Sequence, residues 1–157
     1  MKSASIQEIK QELKSIPPPQ LAELCLRLAK FKKDNKELLT YLLFESDDES
    51  AYIANIKKEI DLGFDELPKP NLYLTKKSLR KVLRITTKQI RYAQSPQVEV
   101  EALTYFCRKL HDSGIPLKDS PVLTNLYRQQ LKKVHAVIAT LHEDLQYDFL
   151  RALKGLD

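Results

Sequence analysis

PVLTNLYRQQLKKVHAVIATLHEDLQYDFLRALK, residues 121–154, has no Gly and no Pro after its first residue. Leu123, Tyr127, Leu131, Val134, Ile138, Leu141, Leu145, Phe149 and Leu153 advance by three or four positions throughout. That spacing holds one apolar stripe on an α-helix. Ser120 before Pro121 reads as a helix cap followed by a first-turn proline. Unbroken, the helix is about 50 Å long at 1.5 Å per residue. A compact domain of this chain length has a radius of gyration of only about 15 Å. The segment is therefore either a spine for shorter helices or a helix that bends near Glu143. An apolar stripe this long needs covering along its whole length.

Upstream, the same signals divide the chain into about seven helices. Ser5 and Glu8 have capping-box spacing before Ile6, Ile9, Leu13 and Ile16. Pro17, Pro18 and Pro19 end that helix, because their rings and missing N–H groups forbid its continuation. A second helix carries Leu21, Leu24, Cys25, Leu28 and Phe31. Asp34 and Glu37 are a second capping-box candidate. The fourth helix carries Tyr52, Ile53, Ile56, Ile60 and Phe64, with Gly63 placed to end or bend it. Asn71 is the cap of the fifth, Ser95 and Pro96 open the sixth, and Gly114 ends it.

The 157 residues suit one domain, 1–157, with enough core to need no metal or disulfide. Long alternating β-branched runs are missing, so the class is all-α. Short connections between helices predict antiparallel neighbours, arranged as a helical bundle or an irregular stack of helix pairs with a long C-terminal helix. No segment is apolar enough to span a membrane, and charges interrupt the N-terminus where a signal peptide needs its apolar run. The expected location is cytoplasmic. Cys25 and Cys107 both fall in apolar patterns and read as small buried hydrophobes.

The segment IKQELKSIPPPQLAELCLRLAKFKKDNKELLTYLL, residues 9–43, resembles the opening of small bacterial all-helical proteins of unknown function. The shared pattern is a short helix, a break, spaced leucines and a Lys-rich turn. The resemblance covers about a fifth of the chain and implies no activity.

Charge is unevenly placed. Residues 1–66 carry a net −3, residues 67–98 a net +8 with no acid, and residues 99–157 balance. The source is TKKSLRKVLRITTKQIRY, residues 75–92. At 100° per residue, Lys77, Arg80, Lys81, Arg84, Lys88 and Arg91 fall within an arc of roughly 100°. Leu72, Leu79, Leu83, Thr86 and Ile90 cluster nearly opposite. Surface helices usually mix signs, because like charges at i and i+4 repel. Three readings follow for this face. Asp61, Asp65, Glu66 or the run Glu45–Glu49 neutralise it; or it docks an acidic protein partner; or it contacts a nucleic-acid backbone. No helix-turn-helix, aromatic ribonucleoprotein run or Cys/His finger accompanies it, so nucleic-acid contact would be weak and non-specific.

Other chemistry is thinly marked. The acids at 45, 47, 48 and 49 lack EF-hand spacing. Cys107 with His111 is half a zinc pattern without its other half, and His135 with His142 lies outside any Glu-x-x-His or His-Glu-x-x-His motif. There is no phosphate loop, dinucleotide fingerprint or nucleophile elbow. The expectation is a non-enzymatic interaction module with no cofactor, metal or membrane contact, using the six basic residues from Lys77 to Arg91. Nucleic-acid backbone binding by the same face is the alternative. A helical enzyme using acids and histidines of the fourth and last helices is the second alternative. The sequence assigns no oligomeric state.

Overall fold

The computed structural model describes all 157 residues. It is all-helical: α1 (Ile6–Lys14), α2 (Pro18–Phe31), α3 (Lys33–Thr40), a π-helical turn (Tyr41–Glu45), α4 (Glu49–Asp65), α5 (Leu72–Ala93), α6 (Pro96–Asp112), a 3₁₀ turn (Leu117–Asp119), α7 (Pro121–Ile138) and α8 (Glu143–Ala152). No helix is long and apolar enough to cross a membrane.

Most starts follow the local signals. Glu8 Oε2 accepts from the Ser5 N–H at 2.7 Å, and Ser5 Oγ accepts from the Glu8 N–H at 3.2 Å, a complete capping box. Asn71, Ser95 and Ser120 each accept from the backbone N–H three residues on. Gly114, at φ +76°, lies just beyond α6 in the left-handed region that glycine enters without steric cost. Asp34 is different. A single extended residue, Lys32, separates α2 from α3 and occupies the cap position itself, which places Asp34 in the first turn. Asn35 Nδ2 reaches back to the Leu28 carbonyl at 2.9 Å and ties the two helices.

Packing divides the chain into two compact units, 1–44 and 45–157. In the first, α2 pairs with α3, and no side chain of α1, α2 or α3 is fully buried. Cys25 is exposed here, contrary to its reading as a core residue. Although α2 packs on α3, its apolar positions stay exposed, Leu28 at 61% and Phe31 at 86%.

The second unit is built on α6, against which α4, α5 and α7 all pack. Val98, Val100, Ala102, Leu103, Phe106, Cys107 and Leu110 are all buried, so this helix is apolar on several sides, as a central helix must be. Phe64 meets Phe106 edge-on, with ring centroids 5.6 Å apart. Gly63 does not end α4, which runs on to Asp65. A Cβ at Gly63 would overlap Val82 Cγ2 of α5. The glycine lets two helix backbones approach closely.

The long C-terminal helix is corrected to two. α7 stops at Ile138, and α8 starts at Glu143 and packs against α7. Thr140 Oγ1 donates to the Val137 carbonyl at 2.6 Å. His142 caps α8, its Nδ1 accepting from the Asp144 N–H at 3.3 Å, with Glu143 and Asp144 in the first turn, where the helix dipole favours anions. The break brings Leu153 and Leu156 into the core, each almost fully buried, and Tyr127 Oη donates to the Leu156 carbonyl at 2.7 Å. A straight helix would have left these leucines in water.

Candidate anion-binding face

α5 is positioned by its buried row, Thr75, Leu79, Val82, Thr86 and Ile90. The two threonines are buried with their hydroxyls satisfied: Thr75 Oγ1 donates to the Pro68 carbonyl at 2.9 Å, and Thr86 Oγ1 to the Val82 carbonyl at 3.0 Å. The expected row differs in part, because Leu72 and Leu83 are only half-buried and Val82 takes the seam against α4. The centre of the buried row lies about 170° round the helix from the centre of the basic arc.

Lys77, Arg80, Lys81, Arg84 and Arg91 are exposed, and Lys88 is half-buried. None of the five exposed cations makes an ion pair. The acids nearest in sequence turn elsewhere. Asp61 accepts from Tyr105 Oη at 2.7 Å and pairs with Lys109 Nζ at 3.0 Å, both on α6. Its carboxyl is held below the usual range chiefly by the Tyr105 hydrogen bond, against partial burial, with Lys109 assisting. Tyr105 is pushed up to about 12 by the same bond and by burial. Glu59 accepts from Gln89 Nε2 at 2.9 Å, and Glu101 pairs with Lys57 at 3.3 Å. Asp65 and Glu66 form no ion pair, and Asp48 is used in capping α4, accepting from the Ala51 N–H at 3.0 Å.

Lys77, Ser78, Arg80, Lys81 and Arg84 line a depression of about 410 Å³. Apolar side chains adjoin it. Tyr73 is 76% exposed and lies in the same arc, and Leu74 and Ile85 are exposed on its edge. Leu62 of α4 is 62% exposed and shares a groove with Lys81 and Ile85. The apolar positions singled out in the sequence, Leu72, Leu79, Leu83, Thr86 and Ile90, do not include Ile85, and Leu62 is absent from the row assigned to the fourth helix.

The histidines have local roles. His111 Nδ1 lies 2.8 Å from Asp112, His135 Nε2 lies 3.0 Å from Asp157, and His142 is the α8 cap. Cys107 is buried, and burial pushes its thiol up to about 12. No three His, Cys, Asp or Glu side chains are grouped as metal ligands. A comparison of the chain with protein-family models, curated proteins and solved structures finds no match, so the functional reading rests on these residues alone.

Proposed function

We propose that this protein is a non-enzymatic binding module that docks an acidic protein segment on the outer face of α5. The observation that carries the reading is the set of five exposed cations in one arc, none of them paired. Arg80, Arg84 and Arg91 supply forks that grip carboxylates with two parallel hydrogen bonds, and Lys77 and Lys81 add charge beside them. Lys88, half-buried, lies in the same arc. Exposed Tyr73, Leu74, Ile85 and Leu62 favour a protein segment over a bare phosphate backbone. A protein interface needs apolar anchors inside a charged rim.

The test is fluorescence polarisation with a labelled peptide alternating Glu and Leu and with random single-stranded RNA, each at two salt concentrations. The expected result is salt-sensitive peptide binding that Arg80→Glu/Arg84→Glu abolishes. RNA binding with no peptide binding would transfer the face to nucleic-acid backbone contact. Loss of neither ligand in the double variant would overturn the reading.

A further inference from the structure

Residues 1–44 carry apolar surface that their own unit does not cover. Besides Met1, twelve large apolar side chains are exposed there, from Ile6 in α1 to Phe44. Together they present on the order of 1,000 Å², scaling from the roughly 150–250 Å² of a whole aromatic side chain. The largest apolar patch on a typical monomer is about 300–600 Å². A stable interface of standard size takes about 800 Å² from each partner. The unit therefore holds enough for an interface, and more than a monomer ordinarily leaves in water.

Two of its faces complement each other. On α2, at 100° per residue, apolar and small side chains fill a continuous arc of about 220°, from Phe31 through Leu24, Leu28 and Leu21 to Leu26. A helix that packs on one neighbour needs a stripe of only about 100°. Its neighbour is α3, so a second side of α2 stays open. On α1, Ile6, Ile9 and Leu13 form one narrow stripe, and α1 packs closely on no helix. The link between the two helices keeps them apart. It is short, Pro17 is extended at φ −61° and ψ 147°, and Pro18 and Pro19 follow at once. Short stiff hinges of this kind favour exchange of an element between copies over closure within one chain.

We propose that two copies of the chain pair through their 1–44 units, with α1 of each lying along the open side of α2 of the other. Under a two-fold axis each copy supplies both the stripe and the arc that receives it. That reciprocity commits the surface to a second copy rather than to a foreign helix. Charge permits the pairing: residues 1–44 carry eight Lys and Arg and five Asp and Glu, interspersed, whereas the charges of residues 67–98 are all of one sign. Pairing also supplies what α1 and α3 lack alone, because isolated helices of 9 and 8 residues are marginal in water. A 1–44 fragment too dilute to pair therefore stays disordered.

Sedimentation equilibrium of the full chain, from micromolar to near-millimolar loading, tests the pairing. The mass should rise from 18.2 kDa towards twice that value. Phe31→Glu should weaken association by about tenfold or more, because pairing would then bury an unpaired charge. Phe31 is exposed in the single copy, so this variant keeps its fold. Arg80→Glu/Arg84→Glu should pair as the unaltered chain does, which separates this surface from the α5 face. To follow α1, an isotope-labelled Ile9→Cys chain is mixed with unlabelled protein and treated with a short bismaleimide. Cys107 is buried and does not compete. The expected product joins position 9 of the labelled chain to Cys25 of the unlabelled one. Links from position 9 to Cys25 only within one chain would overturn the exchange of α1. Association that Phe31→Glu leaves intact would overturn the proposal. So would a monomer mass at every concentration, and co-sedimentation of that monomer with phosphatidylglycerol vesicles would give the surface to lipid instead.

Discussion

Gly63 shows how one atom can set a helix spacing. Alanine is the better helix former by about 1 kcal/mol, so Gly63→Ala would stabilise an isolated helix. Here the added Cβ meets Val82, a β-branched residue with one favoured rotamer in a helix. Overpacking of this kind costs roughly 1–3 kcal/mol, enough to outweigh the gain. Urea denaturation should show Gly63→Ala to be destabilised and Gly63→Ala/Val82→Ala to recover part of the loss. Asp61 gives a pH-dependent counterpart. Its folded pKa is depressed, so its contribution is complete above the unfolded value, near 4, and fades as pH falls through the folded value. Melting temperatures measured down the acid limb should fall less steeply in Asp61→Asn and in Tyr105→Phe than in the unaltered protein. The two thiols should also separate. Cys25 is exposed and should react at once with a thiol reagent, while Cys107 should react only on unfolding.

At the scale of the element, α5 carries repulsion it could shed. Arg80, Arg84 and Lys88 stand at i, i+4 spacing, as do Lys77 and Lys81. A glutamate at position 84 would face cations at 80, 81 and 88, each favourable pair worth about 0.2–0.5 kcal/mol. Arg84→Glu should therefore raise the melting temperature slightly while weakening capture of an acidic ligand. A drop in both would mean that Arg84 supports the fold. The helix itself was legible in the sequence. Asn71 caps it, and the basic arc lies opposite the apolar one. The seam was legible only in part, because the close approach at Gly63 selects Val82 over Leu83. The α7–α8 break was foreshadowed near Glu143, but the apolar stripe continues through it. A stripe cannot distinguish one long helix from two helices turned back on each other.

At the scale of the whole molecule the two units differ in kind. Residues 1–44 bury no side chain fully, and α1 to α3 run for only 9, 14 and 8 residues. Isolated helices shorter than about 12–15 residues are marginal in water. A 1–44 fragment should give a largely disordered circular-dichroism spectrum, whereas a 45–157 fragment should unfold cooperatively. Within the latter, Leu153 is almost fully buried although it follows the last helix. Leu153→Ala should cost about 2–5 kcal/mol by urea denaturation, the usual range for a buried leucine.

The sequence by itself determined the all-α class, most helix starts and the one-signed face of α5. Each depends on groups within a few residues of one another: a side-chain oxygen and the N–H three positions on, a proline ring and its own backbone, side chains repeating every turn. Only the tertiary structure decided that Asp61 turns to Tyr105 and Lys109 and leaves the α5 cations unpaired. It alone turned α8 back to bury Leu153 and Leu156. Those arrangements join groups tens of residues apart, and no local pattern records which distant partner a side chain meets.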